Sequence, residues 1–326
     1  MKIICEVTRG EYVESRHEVY VVAIDEAEKI IFRSGDPKHI TCIRSALKPF
    51  QASASIKVGA VAEAKFTDEE VALMCSSHNG ENIHINTAHN MLKKLGFHIS
   101  DYECGIHYPH NKEAREQMWK HNNKATPLHN NCSGKHAGML SLAKYLQVSS
   151  KGYIQWDHPV QKKIFEQISR LTGYKTFSYG IDGCSAPTPF LSLLDIAKLY
   201  LKLGSDKYSE LSIAYNAMSE HPYFVGGKNR FDTDFNAVMR GRGVCKAGGE
   251  AVRGLVIKTE KYGLMGLAIK IIDGNQRAIE VGTMAALNTL DILHNKEKDK
   301  LSTYENKPLT NCNKFKTGKI ISRIIK

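Results

Sequence analysis

The period of hydrophobic and polar positions changes along the chain. Ile3-Ile4-Cys5-Glu6-Val7 is a short β-rich run closed by Arg9-Gly10, and a β-branched stretch over 17–24 ends at Asp25-Glu26. Both predict strands. Over 45–58, Leu47, Phe50, Ala54 and Val58 recur at spacings of three and four, the spacing of a helix face. Similar patterns predict helices at 68–75, 82–95, 113–121, 136–147, 159–171, 190–203 and 207–219. Thr67-Asp68-Glu69-Glu70 supplies a hydroxyl cap and an acidic first turn, while Gly96 and Gly204 follow Leu95 and Leu203 as stops. Strand-like runs return at 252–258 and 264–272, joined by the hairpin candidate Lys261-Tyr262-Gly263, and a last helix is expected at about 278–293.

This layout predicts an α/β (α+β) protein. Strands from both chain ends, within 1–35 and 250–275, would pair in one largely antiparallel sheet. Helices from the middle, 45–247, would pack over it. The expected unit is a single domain of residues 1–294, followed by a polar, lysine-rich C-terminal tail at 295–326.

Composition narrows the function classes. An apolar fraction of 42% and a charged fraction of 24% are ordinary for a globular chain. The net charge of +11 could attract nucleic acid or anionic substrates. However, the lysines are scattered and the densest run, Asn295-Lys-Glu-Lys-Asp-Lys300, alternates in sign, so no nucleic-acid partner is expected. The eight cysteines are dispersed, without zinc-ribbon or thioredoxin-like pairing, which suits a reducing compartment. The N-terminal apolar run is short and interrupted by Glu6, and no stretch reaches transmembrane length. The expectation is a cytoplasmic protein without a membrane partner.

Several loops carry candidate chemistry. In Arg44-Ser45-Ala46-Leu47-Lys48-Pro49-Phe50, helical spacing places Ser45 and Lys48 on one face. A lysine kept neutral by burial or by another cation can take a serine proton; the bland alternative is a capping serine with an exposed lysine. Cys75-Ser76-Ser77-His78-Asn79-Gly80-Glu81 forms a polar turn able to line an amide or carboxylate pocket. Asn130-Asn131-Cys132-Ser133-Gly134-Lys135 is rich in donors but lacks the spacing of a phosphate loop. Gly180-Ile181-Asp182-Gly183-Cys184-Ser185-Ala186-Pro187 and Gly226-Gly227-Lys228-Asn229-Arg230-Phe231-Asp232-Thr233 are irregular loops before helices, and Ala247-Gly248-Gly249-Glu250 is a further glycine-hinged loop. Lys270 interrupts an apolar strand. Pointing outward it is a solvent-face residue; pointing inward it is an expensive cation unless paired or functional.

Taken together, these motifs resemble the asparaginase II family first described from rhizobial bacteria. They run in order as R-S-x-x-K-P-F-Q (44–51), S-H-N-G-E (77–81), C-G-x-H-x-P (104–109) and H-N-N-C-S-G-K-H-A-G-M-L (129–140), then G-x-D-G-C-x-A-P (180–187), R-F-D-T (230–233), G-G-E (248–250) and A-x-K-x-x-D-G (268–274). The resemblance implies a fold like that of serine β-lactamases and glutaminases, and hydrolysis of L-asparagine to L-aspartate and ammonia through an acyl-enzyme. It implies Ser45 as nucleophile with Lys48 as its base, and Ser77 with Lys270 as a second pair. Substrate binding would fall to Arg44, His78, Asn79, Gly80, Glu81, Asp182, Gly183 and Glu250. Cys132, Lys135 and Cys184 would hold zinc, and the molecule would be a homodimer. Ser185 and Ala251 stand where the family often has glycine.

Rival readings are a penicillin-recognising amide hydrolase, a zinc hydrolase and a basic non-catalytic binding protein. The first shares S-x-x-K, but S-D-N and K-T-G are absent; the second would need H-E-x-x-H or a deaminase pattern, also absent. The third is opposed by the intact Ser45, Lys48, Ser77, Cys132, Lys135 and Cys184.

Overall fold

A computed structural model describes residues 1–325, and the chain divides into two compact units. The first comprises Met1–Ala46, Leu191–Leu201 and the chain from Arg242 onward; the second comprises Leu47–Phe190 and Lys202–Gly241. The fold class is the expected one: a mixed α/β protein with an antiparallel sheet built from both chain ends.

The first unit is built on an eight-stranded sheet. Its strands run in the order Lys307–Thr310, Lys316–Ile325, Lys2–Arg9, Tyr12–Ile24, Gly263–Ile271, Val252–Thr259, Gly243–Gly248, with Ile30–Ser34 also pairing to Tyr12–Ile24. Val19 to Ile24 are buried without alternation apart from Tyr20, because both sheet faces are covered. On one face, helix Ile279–Leu290 packs at Gly282, where a Cβ would meet Val19 at 3.0 Å. On the other lies helix Leu193–Leu203: a Cβ at Gly266 would stand 2.1 Å from the Ala197 carbonyl, and one at Gly254 would strike the Tyr200 ring.

Three expectations are corrected here. Residues 307–325 do not form a tail: Lys316–Ile325 pairs with strand Lys2–Arg9 from Lys2 to Val7, and Ile320 is fully buried. The lysine content masked the pairs Ile320-Ile321 and Ile324-Ile325, which fit a strand having one covered side. Gly243–Gly248 is a strand inside the stretch expected to be helical, and residues 190–192 belong to strand Pro187–Ser192, not to the following helix. Val244-Cys245-Lys246-Ala247 is too short to reveal its period.

The second unit is helical. Helices Lys48–Val58 and Ser133–Tyr145 are buried around most of their circumference, and pack with Pro159–Thr172 and Ser209–Glu220. The outer helices Asn82–Leu95 and Pro159–Thr172 are amphipathic, with apolar faces turned inward. Gly134 brings helix Ser133–Tyr145 against helix Asp68–Met74, since a Cβ there would lie 2.2 Å from the Leu73 carbonyl. Thr67 and Glu70 form the anticipated capping box, and Gly96 closes helix Asn82–Leu95 in a left-handed conformation. No helix among the described residues is long and apolar enough to cross a membrane.

Candidate active site

In the helical unit the site is organised by Lys48, the first residue of its helix and completely buried. Its Nζ donates to the Ser76 carbonyl, to Ser77 Oγ at 3.0 Å and to the Asn131 carbonyl at 3.4 Å. All three acceptors are neutral, and the helix dipole opposes a cation at this end. Lys48 therefore hydrogen-bonds Ser77, the serine expected to partner Lys270.

The run Ser76–Glu81 is an irregular segment pinned by its backbone: the Ser77 N–H reaches the Val225 carbonyl at 3.1 Å, and that of His78 the Asn131 carbonyl at 3.3 Å. The buried His78 ring lies 2.9 Å from Ser133 Oγ through Nε2, and its Nδ1 accepts from the Gly80 N–H at 3.1 Å. Burial, then the neighbouring His84 and Lys48, push its pKa well down, so the ring is neutral. Gly80, at φ 73°, leaves no room for a side chain between Pro109 and the His129 carbonyl.

Asn79 and Glu81 are engaged by their own chain. Asn79 Nδ2 donates to the Lys228 carbonyl at 2.9 Å, and its Oδ1 accepts from Arg230 Nη1 at 3.2 Å. The Glu81 carboxylate accepts from the Tyr223 hydroxyl, the Lys228 N–H at 2.9 Å and Asn79 Nδ2 at 3.3 Å. Burial opposes its ionisation, but these donors prevail and hold its pKa below the usual value. Glu81 thus clamps the 223–230 loop. Gly227, at φ 100°, lets the loop approach, because a Cβ there would meet Glu81 Oε1 at 2.4 Å.

Cys132, Lys135 and Cys184 come together, all buried, in the same unit. Lys135 Nζ lies 2.8 Å from Cys184 Sγ. A hydrogen bond from Cys132, then the charge of Lys135, hold the Cys184 thiol far below its usual pKa despite burial. Cys132 is correspondingly raised. Its one thiol hydrogen is contested between the Cys184 sulfur and Asn131 Oδ1, the latter at 3.2 Å. Burial disfavours the Lys135 ammonium, but the two sulfurs and Asp182 outweigh it and raise its pKa. His136 Nδ1 bonds Tyr153 OH at 2.7 Å. Its Nε2 is buried without a hydrogen bond, and burial lowers its pKa while Cys184 opposes.

This donor set fits zinc in type: two sulfurs and an amine able to yield a lone pair. Tetrahedral zinc would set an amine nitrogen and a thiolate sulfur about 3.6 Å apart, so Lys135 would have to draw back from Cys184. Among the described residues, no group of three or more His, Cys, Asp or Glu side chains is arranged to hold a metal.

Asp182 and Gly183 lie in the turn of the hairpin formed by Tyr179–Ile181 and Pro187–Pro189. The turn is closed by Asp182 N–H to Ala186 O at 2.9 Å and Ser185 N–H to Asp182 O at 2.8 Å. Ser185 has φ 70°, a left-handed value that glycine adopts without strain.

In the sheet unit, Ser45 sits half-buried in the 3₁₀ turn Arg44–Leu47 that leads into Lys48. The turn is braced from several sides. Tyr200 OH donates to the Ala46 carbonyl at 2.7 Å, and Gly248, at the end of the edge strand, abuts the Ile43 carbonyl and Ala46 N–H. Arg44 adopts φ 47°, a strained value for a non-glycine residue, and its Nη1 lies 3.4 Å from Glu250 Oε1. Ala251 likewise has φ 52°.

Lys270 does not point into solvent: it is 6% exposed and its Nζ donates to the Glu250 carbonyl. Burial lowers its pKa, with Glu250 and Asp273 opposing. Lys246, which sequence reasoning passed over, is wholly buried and donates to the Ala247 carbonyl at 2.7 Å. Pairing of Lys246 with Gly254 and Ala268, and of Gly248 with Val252 and Lys270, puts both lysines on one sheet face. The available signal was a lysine within an apolar run, directly before Ala247-Gly248-Gly249.

Among solved structures, the chain is similar to a glutaminase from Bacillus, at 12% identity and a TM-score of 0.40, covering 84% of this chain and 91% of that one. It is also similar to the TLA-1 extended-spectrum β-lactamase, at 12% identity and a TM-score of 0.38, covering 89% and 94%. Among curated proteins, none matches it in sequence. The sequence model of the L-asparaginase II family matches residues 5–322, and the chain therefore belongs to that family of amidohydrolases.

Proposed function

We propose that this amidohydrolase cleaves the side-chain amide of L-asparagine, with Ser45 as nucleophile and Lys48 as the group that takes its proton. The observation that supports this reading most is the setting of Lys48: fully buried three residues after Ser45, and surrounded by the neutral acceptors Ser76 O, Ser77 Oγ and Asn131 O. The setting keeps the amine out of solvent and in a hydrogen bond with a second serine hydroxyl.

As Ser45 Oγ attacks the amide carbon, its proton passes to Lys48 Nζ. Ser77 Oγ, bonded to that nitrogen, is the route by which a proton reaches the leaving ammonia. Backbone N–H groups of the Ser45 turn and the adjoining strand end are the oxyanion donors in this scheme. Water then cleaves the β-aspartyl ester by the reverse proton path. Lys270 was expected to act with Ser77 as a second Ser-Lys pair. Cys132, Lys135 and Cys184 would hold zinc, which when bound would supply a fixed positive charge.

The test is ammonia release from L-asparagine and L-glutamine by wild type, Ser45→Ala and Lys48→Met. Release from asparagine is expected in wild type and its loss in both variants. A folded wild type that releases ammonia from neither amide would remove this proposal.

A further inference from the structure

Arg230 is a half-buried cation near the Ser77 segment, with no bonded anion among the described residues. Lys228 is paired with both oxygens of Glu113 at 3.0 Å, and Arg115 donates to the Pro109 carbonyl at 2.9 Å. Arg44, in the other unit, lies against Glu250. The half-buried Arg230 guanidinium makes one hydrogen bond among the described residues, from Nη1 to Asn79 Oδ1 at 3.2 Å, and that partner is neutral. A guanidinium carries five donors, so most of its capacity and all of its charge are left without an answer from the protein.

Its position is set by the loop that Glu81 clamps. The Val225 carbonyl accepts from the Ser77 N–H at 3.1 Å. The next residue, Gly226, is so close to Arg230 that a Cβ there would stand 3.0 Å from Arg230 Cβ. The same Cβ would stand 2.7 Å from Thr233 Oγ1, a hydroxyl 7% exposed and buried without a hydrogen-bond partner. His110 is close enough to both Arg230 and Lys48 for each to help depress its pKa, after burial and His107. An uncompensated arginine and an unpartnered buried hydroxyl therefore flank the segment that carries Ser77, one of the two serines at the amide-cleaving centre.

We propose that Arg230, with the Thr233 hydroxyl, is the receptor for the α-carboxylate of the amino-acid amide. The assignment rests on the amidohydrolase reading above. A planar guanidinium engages a carboxylate through two parallel hydrogen bonds, and a half-buried setting makes such a pair stronger than one on the surface. The receptor confines the substrate class to amides that carry a carboxylate, and Glu81 is the positioning residue that holds the receptor loop.

The experiment compares L-asparagine with 3-aminopropanamide, the same molecule without its α-carboxylate, in wild type, Arg230→Ala, Arg230→Lys and Arg230→Gln. The glutamine variant keeps a side-chain donor for Asn79 while removing the charge. Protection from thermal unfolding by L-aspartate is measured on the same samples. For asparagine, kcat/KM should fall about a hundredfold or more in Arg230→Ala and Arg230→Gln, with partial recovery in Arg230→Lys. Turnover of 3-aminopropanamide should change less than about threefold, and protection by aspartate should disappear. Equal losses on both amides, or aspartate protection that survives Arg230→Gln, would overturn the assignment while leaving the hydrolase intact. If wild type hydrolyses neither amide but aspartate protects it and not Arg230→Gln, the carboxylate receptor stands and the proposed reaction falls.

Discussion

Two lysines occupy the first turns of two buried helices in the same unit, and their surroundings differ completely. Lys48 opens helix Lys48–Val58 and is met by two carbonyls and a serine hydroxyl. Lys135, the third residue of helix Ser133–Tyr145, is met by Cys184 at 2.8 Å and held as an ammonium by two sulfurs and Asp182. Both are buried at a helix end that disfavours cations. Only Lys135 has an anion to offset this. Helix position thus makes both lysines unusual, but their partners differ: neutral acceptors around Lys48, sulfurs around Lys135.

The most severe way to break this comparison is to remove each amine in turn. Lys48→Met should lower kcat for asparagine by at least about a thousandfold while zinc binding persists. Lys135→Met should reduce zinc content by atomic emission and abolish the thiolate ultraviolet absorbance of Cys184, yet lower kcat by no more than about tenfold. Equal losses of activity would show that the two lysines share one role.

A smaller effect tests whether the surroundings of Lys48 are uncharged. His78, His84, His129 and His136 have pKa values lowered chiefly by burial, and His110 is pushed down to about 4. As pH falls, the unfolded chain takes up protons first, near the ordinary histidine value of about 6.5. Stability contributed by these neutral rings is therefore full above that pH and is lost as pH falls toward the lowered folded values. Each ring adds up to about 1.4 kcal/mol per pH unit to the slope. Urea unfolding between pH 7 and 5 should show this decline, and His110→Asn should make it shallower. A flat profile would mean that folding leaves the histidine pKa values unchanged, against the account of buried neutral rings.

The smallest effects sharpen the comparison by leaving both lysines untouched. Ser185 and Ala251 adopt left-handed backbone, at φ 70° and 52°. Ser185→Gly and Ala251→Gly should each raise stability by about 0.5–1 kcal/mol in thermal or urea unfolding, with kcat unchanged.

Much of this architecture was written in short-range patterns. Helix 68–74 was legible from Thr67 and Glu70, and the hairpin before Ile271 from Tyr262-Gly263, because capping and turn chemistry act over a few residues. The C-terminal strand was not legible: its identity comes from pairing with Lys2–Arg9, some three hundred residues away in the chain, and its lysines face outward. The site divides in the same way. Ser45, Lys48, Ser77 and the cysteine pair stood out as motifs. That Glu81 serves its own loop, that Lys48 bonds Ser77 and that Lys246 is buried depend on folding distant segments together. The left-handed backbone at Ser185 and Ala251 shows only in the dihedral angles.

The central claim, a serine acylated by the substrate amide with Lys48 as its base, is tested most directly by intact-mass analysis of acid-quenched reactions. Wild type mixed with L-asparagine should gain the mass of one β-aspartyl group, mapped by peptide digestion to Ser45, and Ser45→Ala should show neither adduct nor ammonia. Ammonia release that continues in Ser45→Ala, or an adduct that maps to Ser77, would contradict the account and move the nucleophile to another residue.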